Sequence, residues 1–397
     1  MSKIFKHDNA IEWFKEFVSI DSETFNETGM VDFIEKRVKS LKWNCEIIRQ
    51  KIDLEKDVPE NVKRRMPNVN YVGTTEQIYV VFPATDTTKP TIFFSSHLDV
   101  VKPGIGVKPI FENGIIKTDG TTVLGADDKA GLADMFAGME LIIKNKIPHG
   151  KVVFICTAME EIGLVGSKLA NVDDFGIKYG YVLDMDDRVG TIISKTLHTQ
   201  HYTIDLDFDA PKAMGAGPWG ENIYTYASEL VRMMPRGTFS KDTFGSAGIS
   251  KMTFEQPTEM RKPCVKGSIS GSIMSILPEE ITLMRQQISA MIEHHKRDSL
   301  VVSIKFTPEK TSGYCVYDTE DGKQLVKNAE KAITSMGLKF KDDKSRGGFD
   351  ANEFNLKGIP TLVLSCGFMK QHTTDEYIVE QDLHDGAELV KRLIELG

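Results

Sequence analysis

Histidine and acidic side chains stand just after several short apolar runs of this chain. The set comprises His97, Asp99, Asp127, Glu160, Glu161, Asp184 and His372. In open α/β sheets, ligands bind beyond the carboxyl ends of the strands, so side chains in these positions are expected to share one pocket. Imidazole and carboxylate groups delivered from separate strand ends are typical of a hydrolytic site with two divalent metal ions.

His97 ends one apolar run, and Asp99 follows two residues later. A lone histidine at a strand end is usually only hydrogen-bonded, but the nearby acid weakens that alternative. Alternate residues of an extended chain point the same way. The Asp99 carboxylate is therefore expected to hold the imidazole in the tautomer that frees its other nitrogen for a metal.

Asp127 lies just before a predicted helix, in the sequence Gly-Ala-Asp-Asp-Lys of residues 125–129. Two interpretations of this residue stay open. Its carboxylate can cap the N-terminus of the helix. Alternatively, the turn at Gly125 lets it lean into the pocket, where its two oxygens would bridge two cations.

Glu160 and Glu161 follow the apolar run 152–155. A solvated loop is the alternative interpretation, yet a loop gains little from acids against a sheet end. One carboxylate would bind metal while its neighbour takes a proton from a metal-held water.

Asp184 completes the acidic set, and His372 offers a second imidazole. Asp184 is flanked by Asp186 and Asp187, and only one of these three need be a ligand. Because the donors are oxygen and nitrogen atoms, the sequence predicts zinc, cobalt or manganese.

The elements that must position these residues form an α/β pattern. Strand-like apolar runs alternate with helical periodicity and lie at 78–82, 91–94, 151–157, 179–183 and 361–365. Nearly continuous apolar strands predict a mostly parallel sheet with helices on both faces.

Between these runs lies a segment of different character, in which strand 202–208 alternates apolar and polar residues. A chain of 397 residues is expected to form two domains. We predict a catalytic domain from residues 1–197 and 308–397, interrupted by a smaller α+β domain at residues 198–307.

The composition of the chain indicates which binding partners and which cellular compartment to expect. The net charge of −8 argues against nucleic acid or an anionic membrane as a partner. Five scattered cysteines without Cys-x-x-Cys spacing predict reduced thiols. With no apolar signal core and no run of membrane-span length, the protein is expected to be cytoplasmic.

Several motifs resemble the co-catalytic zinc aminopeptidase and deacylase family. These are Ser-His-Leu-Asp-Val at 96–100, Gly-Ala-Asp-Asp-Lys-Ala-Gly at 125–131 and Glu-Glu-x-Gly-x-x-Gly-Ser at 160–167. The segment 124–131 and Arg346-Gly347-Gly348 with Asp350 are most similar to the peptidase T branch. The similarity covers nearly the whole chain but is strong only in the catalytic part.

The resemblance implies a role for each site residue. His97 would hold one zinc, His372 the other, and Asp127 both, while Glu161 and Asp184 would be the remaining ligands. Asp99 would orient His97. Glu160 would be general base and acid. Arg346 would bind a substrate carboxylate, although a solvated loop cation is an equally simple interpretation of that arginine.

The implied activity is aminopeptidase action on short peptides, with tripeptides as the preferred substrates. The attacking group would be a hydroxide held between two metal ions. Two alternatives within the family are deacylation of N-acyl amino acids and carboxypeptidase action. A non-catalytic peptide-binding relative is a third alternative. The inserted domain is expected to serve as a lid and as the contact of a homodimer.

One departure from the family lies in this inserted domain. The family usually carries an Asn-x-His-x-Gly turn there, and peptidase T adds an arginine on a later strand. Residues 209–217 contain no histidine, and residues 267–274 contain no arginine. His198 and His201 lie upstream and could substitute for the missing histidine, but hydrogen-bonded strand histidines are the simpler interpretation.

Overall fold

The computed structural model describes residues 5–208, 223–255, 266–297, 300–308 and 311–397. The chain divides into two compact units: residues 1–194 with 315–397, and residues 195–314. Segment 209–217, with its missing histidine, lies outside the described residues. Within the described part, no helix is long and apolar enough to cross a membrane.

The α-helices of the described residues are numbered α1 to α10 in chain order. They are α1 (Asp8–Val18), α2 (Thr28–Leu41), α3 (Glu60–Arg65), α4 (Ala126–Lys144), α5 (Val165–Leu169), α6 (Ile223–Met233), α7 (Pro278–His294), α8 (Glu320–Ser335), α9 (Asp350–Leu356) and α10 (Glu380–Leu396). The strands follow in the same order. They are β1 (Glu46–Asp53), β2 (Thr74–Phe82), β3 (Ile92–His97), β4 (Ile110–Glu112), β5 (Ile115–Lys117), β6 (Val152–Thr157), β7 (Tyr179–Met185), β8 (Thr191–Thr196), β9 (His198–Phe208), β10 (Gly237–Thr238), β11 (Ser246–Phe254), β12 (Lys266–Ser275), β13 (Leu300–Thr307), β14 (Lys341–Ser345), β15 (Thr361–Ser365), β16 (Phe368–Met369) and β17 (Tyr377–Val379).

The first unit is built on an eight-stranded sheet in the order β1-β2-β6-β3-β7-β15-β8-β14. The central strands β6, β3, β7 and β15 run parallel to one another, whereas β1, β2 and β8 pair antiparallel. Every residue of β3, β6 and β15 is buried. Because these strands are buried along their whole length, their sequences are nearly continuous apolar runs.

Helices cover both faces of this sheet. On one face, the ring of Phe93 meets that of Phe354 in α9, with centroids 4.7 Å apart. On the other face, Phe94 packs against Phe154, whose ring contacts Phe136 of α4 at 5.3 Å. The predicted α/β class, with a largely parallel sheet between helices, is confirmed.

A small second sheet joins two distant segments of the first unit. Its order is β16-β17-β5-β4. Strand β17 pairs with β5 through Tyr377–Lys117, Ile378–Ile116 and Val379–Ile115. The segment that holds His372, between β16 and β17, is thereby fixed beside the chain that leads into α4.

The second unit contains a five-stranded antiparallel sheet in the order β10-β11-β12-β9-β13. Strand β9 buries alternate residues, as its sequence pattern predicts. Its inward side chains, including Ile204 and Leu206, form one core with Leu230 of α6 and Ile288 of α7. The proposed roles of segment 198–307 as lid and dimer contact stay predictions.

Candidate metal centre

Three neighbouring parallel strands deliver most of the site. Strand β3 ends at His97, β6 leads to Glu160 and Glu161, and Asp184 lies near the end of β7. Since β6, β3 and β7 are adjacent and parallel, their carboxyl ends lie at one edge of the sheet. Asp127 enters from the start of α4.

Asp127 lies between the two histidines. Its Oδ1 is 3.1 Å from Nε2 of His97, and its Oδ2 is 3.1 Å from Nε2 of His372. Its backbone is not helical, with φ −82° and ψ 101°, and the N-cap position of α4 belongs to Gly125. The carboxylate therefore faces two imidazoles instead of capping the helix.

Each histidine has a second carboxylate beside it. Nε2 of His97 lies 3.6 Å from Oδ1 of Asp184, and Nε2 of His372 lies 3.0 Å from Oε1 of Glu161. All five side chains predicted as ligands therefore meet around Asp127. The ligand atoms of His97 and Asp184 form one group together with Asp128, those of His372 and Glu161 form another with Asp127, and Asp127 contacts both histidines.

Buried charge makes this cluster unfavourable without cations. Burial raises the pKa of Asp184 to about 8. Hydrogen bonds to Asp127 and then to Glu161 raise the pKa of His372 to about 10. Burial lowers the pKa of His97, but hydrogen bonds to Asp127 and Asp184 outweigh it and hold this pKa well above the usual value.

The donor atoms fit a pair of divalent metal ions. Imidazole nitrogens and carboxylate oxygens are ligands of zinc, cobalt and manganese. Two cations would balance the crowded carboxylates, and binding would displace the protons that the histidines otherwise keep.

Asp99 contacts both the His97 ring and the backbone of the loop that carries Glu160 and Glu161. Its main-chain oxygen accepts the hydrogen bond of His97 Nδ1 at 2.8 Å, and its carboxylate Oδ1 lies farther from that nitrogen, at 3.6 Å. The same Oδ1 accepts the backbone N–H of Glu160 at 2.9 Å, and Oδ2 accepts the Thr24 hydroxyl at 2.8 Å. Asp99 thus orients the ring chiefly through its carbonyl, while its carboxylate fixes the backbone of the glutamate loop.

The metal-ligand candidates other than His97 line a pocket of about 240 Å³. Its lining comprises Asp127, Glu160, Glu161, Asp184, Met185, Asp186, Ser345, Gly347, Gly348, Phe349, Phe368, Gln371 and His372. Burial, and then the charge of Asp184, raise the pKa of Glu160 well above its usual value. Glu160 lies next to the ligands and has no hydrogen bond from either histidine among the described contacts, so it is available to water or substrate.

Arg346 lies at the rim of this pocket. Its neighbours Ser345, Gly347 and Gly348 line the cavity, while Arg346 itself is exposed. The structure therefore brings the loop that carries Arg346 to the site.

Two further acidic residues at the site, Asp128 and Glu376, were not predicted from the sequence to have a role there. Oδ2 of Asp128 accepts the backbone N–H of His97 at 3.2 Å, and its buried Oδ1 has no hydrogen-bond partner among the described residues. Glu376 is also buried. It accepts the backbone N–H groups of Leu124, Gly125 and Asp127 at 2.7, 2.8 and 2.9 Å.

We expect Glu376→Gln to weaken metal binding about 10–100-fold, as loss of an outer hydrogen-bond partner of a metal ligand typically does. A glutamine has one acceptor oxygen, and its NH₂ group would face an N–H donor, so the loop that carries Asp127 would shift. Titration of metal-free protein with Co²⁺, followed by visible absorption, measures the affinity. Glu380→Gln, on the neighbouring helix α10, is the matched control. Equal affinity in the two variants would contradict this role.

The two upstream histidines belong to the second unit. Nδ1 of His198 lies 2.6 Å from the Thr311 hydroxyl oxygen, and His201 is an exposed residue of β9. Hydrogen bonding within the strand region is therefore an adequate account of His198.

Comparisons with known proteins agree on one family. The model of peptidase family M20/M25/M40 matches residues 93–396. A Bacillus subtilis protein named YqjE, described as uncharacterized, is 34% identical over 387 residues, which cover 97% of each chain. Peptidase T of Clostridium perfringens is 26% identical over 283 residues, covering 71% of this chain and 68% of the relative.

Solved structures show the same likeness. The crystal structure of aminopeptidase PepT from Bacillus cereus matches with a TM-score of 0.79 and 29% identity over 99% of both chains. A tripeptidase from Staphylococcus aureus matches with a TM-score of 0.76 and 26% identity, again over 99% of both chains. The resemblance to peptidase T that the motifs indicated is confirmed, and this chain belongs to peptidase family M20/M25/M40.

Proposed function

We propose that this protein is a metal-dependent aminopeptidase that acts on short peptides, with tripeptides as its preferred substrates. The observation that carries the proposal is the position of Asp127, which directs one carboxylate oxygen to His97 and the other to His372. The names of its relatives, which include peptidase T, an aminopeptidase and a tripeptidase, support the same choice.

In this proposal, His97 and Asp184 hold one metal ion, His372 and Glu161 hold the other, and Asp127 binds both. Zinc is the metal we expect, with cobalt or manganese as alternatives. When bound, the two ions would polarise the peptide carbonyl and lower the pKa of the attacking water.

Glu160 acts first as the general base and then as the general acid of the reaction. Its carboxylate accepts a proton from the attacking water and then donates it to the leaving amine. The hydrogen bond from its backbone N–H to Asp99 supports this role, because it fixes the loop relative to His97.

Arg346 binds a carboxylate of the peptide. Its exposed position on a loop that lines the pocket supports a contact with the end of the substrate rather than with the scissile bond. The glycines beside it let the backbone approach a ligand closely.

Activity assays on three substrate classes test the proposal. Metal-free protein is supplied with Zn²⁺ or Co²⁺ and incubated with a tripeptide, a dipeptide and an N-acetyl amino acid. We expect the tripeptide to be cleaved fastest, at its N-terminal bond. Preferred release of acetate would establish the deacylase alternative, and release of the C-terminal residue the carboxypeptidase alternative. Tight peptide binding without cleavage would establish a binding protein.

A further inference from the structure

Asp186 is an acidic residue of the pocket that the proposed chemistry does not use. It follows strand β7, two residues after Asp184, and lines the same cavity as Glu160 and His372. It is half-buried, so water and small ligands reach it.

The carboxylate of Asp186 has no hydrogen-bond or ion-pair partner among the described residues. Its neighbour Asp187, by contrast, lies 3.1 Å from the Thr191 hydroxyl and 3.7 Å from Nζ of Lys341. The guanidinium of Arg188 binds Asp382. The basic groups beside this turn are therefore engaged by other acids.

The Asp186 carboxylate adds one negative charge to those that two divalent metal ions would neutralise. Among the acids that line the pocket, the negative charges of Asp127, Glu160, Glu161 and Asp184 would equal the positive charges of two divalent ions. A further carboxylate on the wall of the same pocket then gives one part of the cavity a net negative charge. Such a site favours a cationic group of the ligand.

We infer that Asp186 binds the free α-ammonium group of the peptide substrate and so selects unblocked N-termini over N-acylated ones. This inference rests on the proposed peptidase function and deepens it. An ammonium donates up to three hydrogen bonds and carries a positive charge. An N-acyl nitrogen is neutral, bulkier and has a single N–H, so it gains much less from the Asp186 carboxylate than an ammonium does.

Binding to a variant that does not turn over tests the inference separately from catalysis. In metal-loaded Glu160→Gln protein, calorimetry gives the affinity for trialanine and for N-acetyl-trialanine. Adding Asp186→Asn is expected to weaken trialanine binding about 10–100-fold, the range of a charge-assisted hydrogen bond. Affinity for the acetylated peptide should stay within about threefold, since that ligand lacks the charged partner.

Asp187→Asn in the same background is the matched control, because it removes one negative charge from the same turn. We expect it to leave both affinities near those of the Glu160→Gln protein. Metal content, measured by mass spectrometry, should be equal in all variants.

Three results would overturn the inference. These are an equal loss for both peptides in the Asp186→Asn protein, no loss for either, and loss of bound metal, which would make Asp186 a ligand. The proposed function has its own test in the hydrolysis of trialanine by wild-type protein. Binding that depends on Asp186 without any hydrolysis would refute the peptidase function alone.

Discussion

Replacing Glu160 with glutamine should lower kcat for tripeptide cleavage by ~10²–10⁴-fold, the usual contribution of a positioned acid–base group. Glutamine keeps the size of the side chain and its place beside the ligands but cannot carry the proton. Bound metal should stay at the wild-type level, because the ligands of the proposal are other residues. Steady-state kinetics on a tripeptide, together with metal analysis, measures both quantities.

Glu140→Gln is the matched control for this substitution. Glu140 is a half-buried glutamate of α4 whose carboxylate accepts the indole N–H of Trp13 at 3.1 Å, outside the lining of the pocket. We expect its kcat to remain within about twofold of wild type, since it touches no reacting group. A Glu160→Gln enzyme with nearly full turnover would remove Glu160 as the base.

The second large effect is expected from Asp127→Asn, which should reduce bound metal from about two ions per chain to fewer than one. Asparagine offers one ligand oxygen and an NH₂ group, so it cannot join the two histidine groups. Loss of this electrostatic stabilisation, worth several kcal/mol, predicts a fall in kcat/KM on the order of 10³-fold or more. Metal analysis after dialysis and kinetics at saturating Zn²⁺ follow the two effects.

Asp119→Asn controls for the loss of one negative charge ahead of helix α4. Asp119 is exposed, and its carboxylate accepts the backbone N–H of Thr121 at 2.9 Å. This variant should bind metal and cleave peptide like the wild type. If the Asp127→Asn protein kept two ions per chain, Asp127 would not be the shared ligand.

The strands that position the site were predictable because they are buried on both faces. The apolar runs near His97 and Glu160 correspond to β3 and β6, in which every residue is buried. Strand β1 had no such signal. It lies at an edge of the sheet, and most of its residues are partly or fully exposed, so its sequence Glu-Ile-Ile-Arg-Gln-Lys-Ile-Asp shows no continuous apolar run.

The ligand candidates were predictable by residue type and position after a strand, but their supporting contacts were not. Glu376 binds backbone groups some 250 positions earlier in the chain, at separations that no local pattern encodes. For Asp99 the spacing from His97 indicated a contact. It could not show that the ring would be held chiefly by the main-chain oxygen while the carboxylate accepts the N–H of Glu160.

The sequence alone shows which acidic residues lie near the proposed substrate-binding part of the site, but it does not show what each of them contacts. Asp184, Asp186 and Asp187 are three similar acids, and their different partners appear only in the folded chain. Residue 184 lies beside His97, residue 187 beside Thr191, and residue 186 on the pocket wall. These positions are the basis of the separate roles that we propose for the three residues.

Anomalous diffraction at the zinc absorption edge, from crystals of zinc-loaded wild-type protein, would locate the two metal ions that we propose. We predict two peaks ~3.5–4 Å apart, the separation typical of two-metal hydrolases. One should lie between His97 and Asp184, the other between His372 and Glu161, and both should contact Asp127. No peak at these side chains, or two peaks that do not share Asp127, would rule out a two-metal site bridged by Asp127.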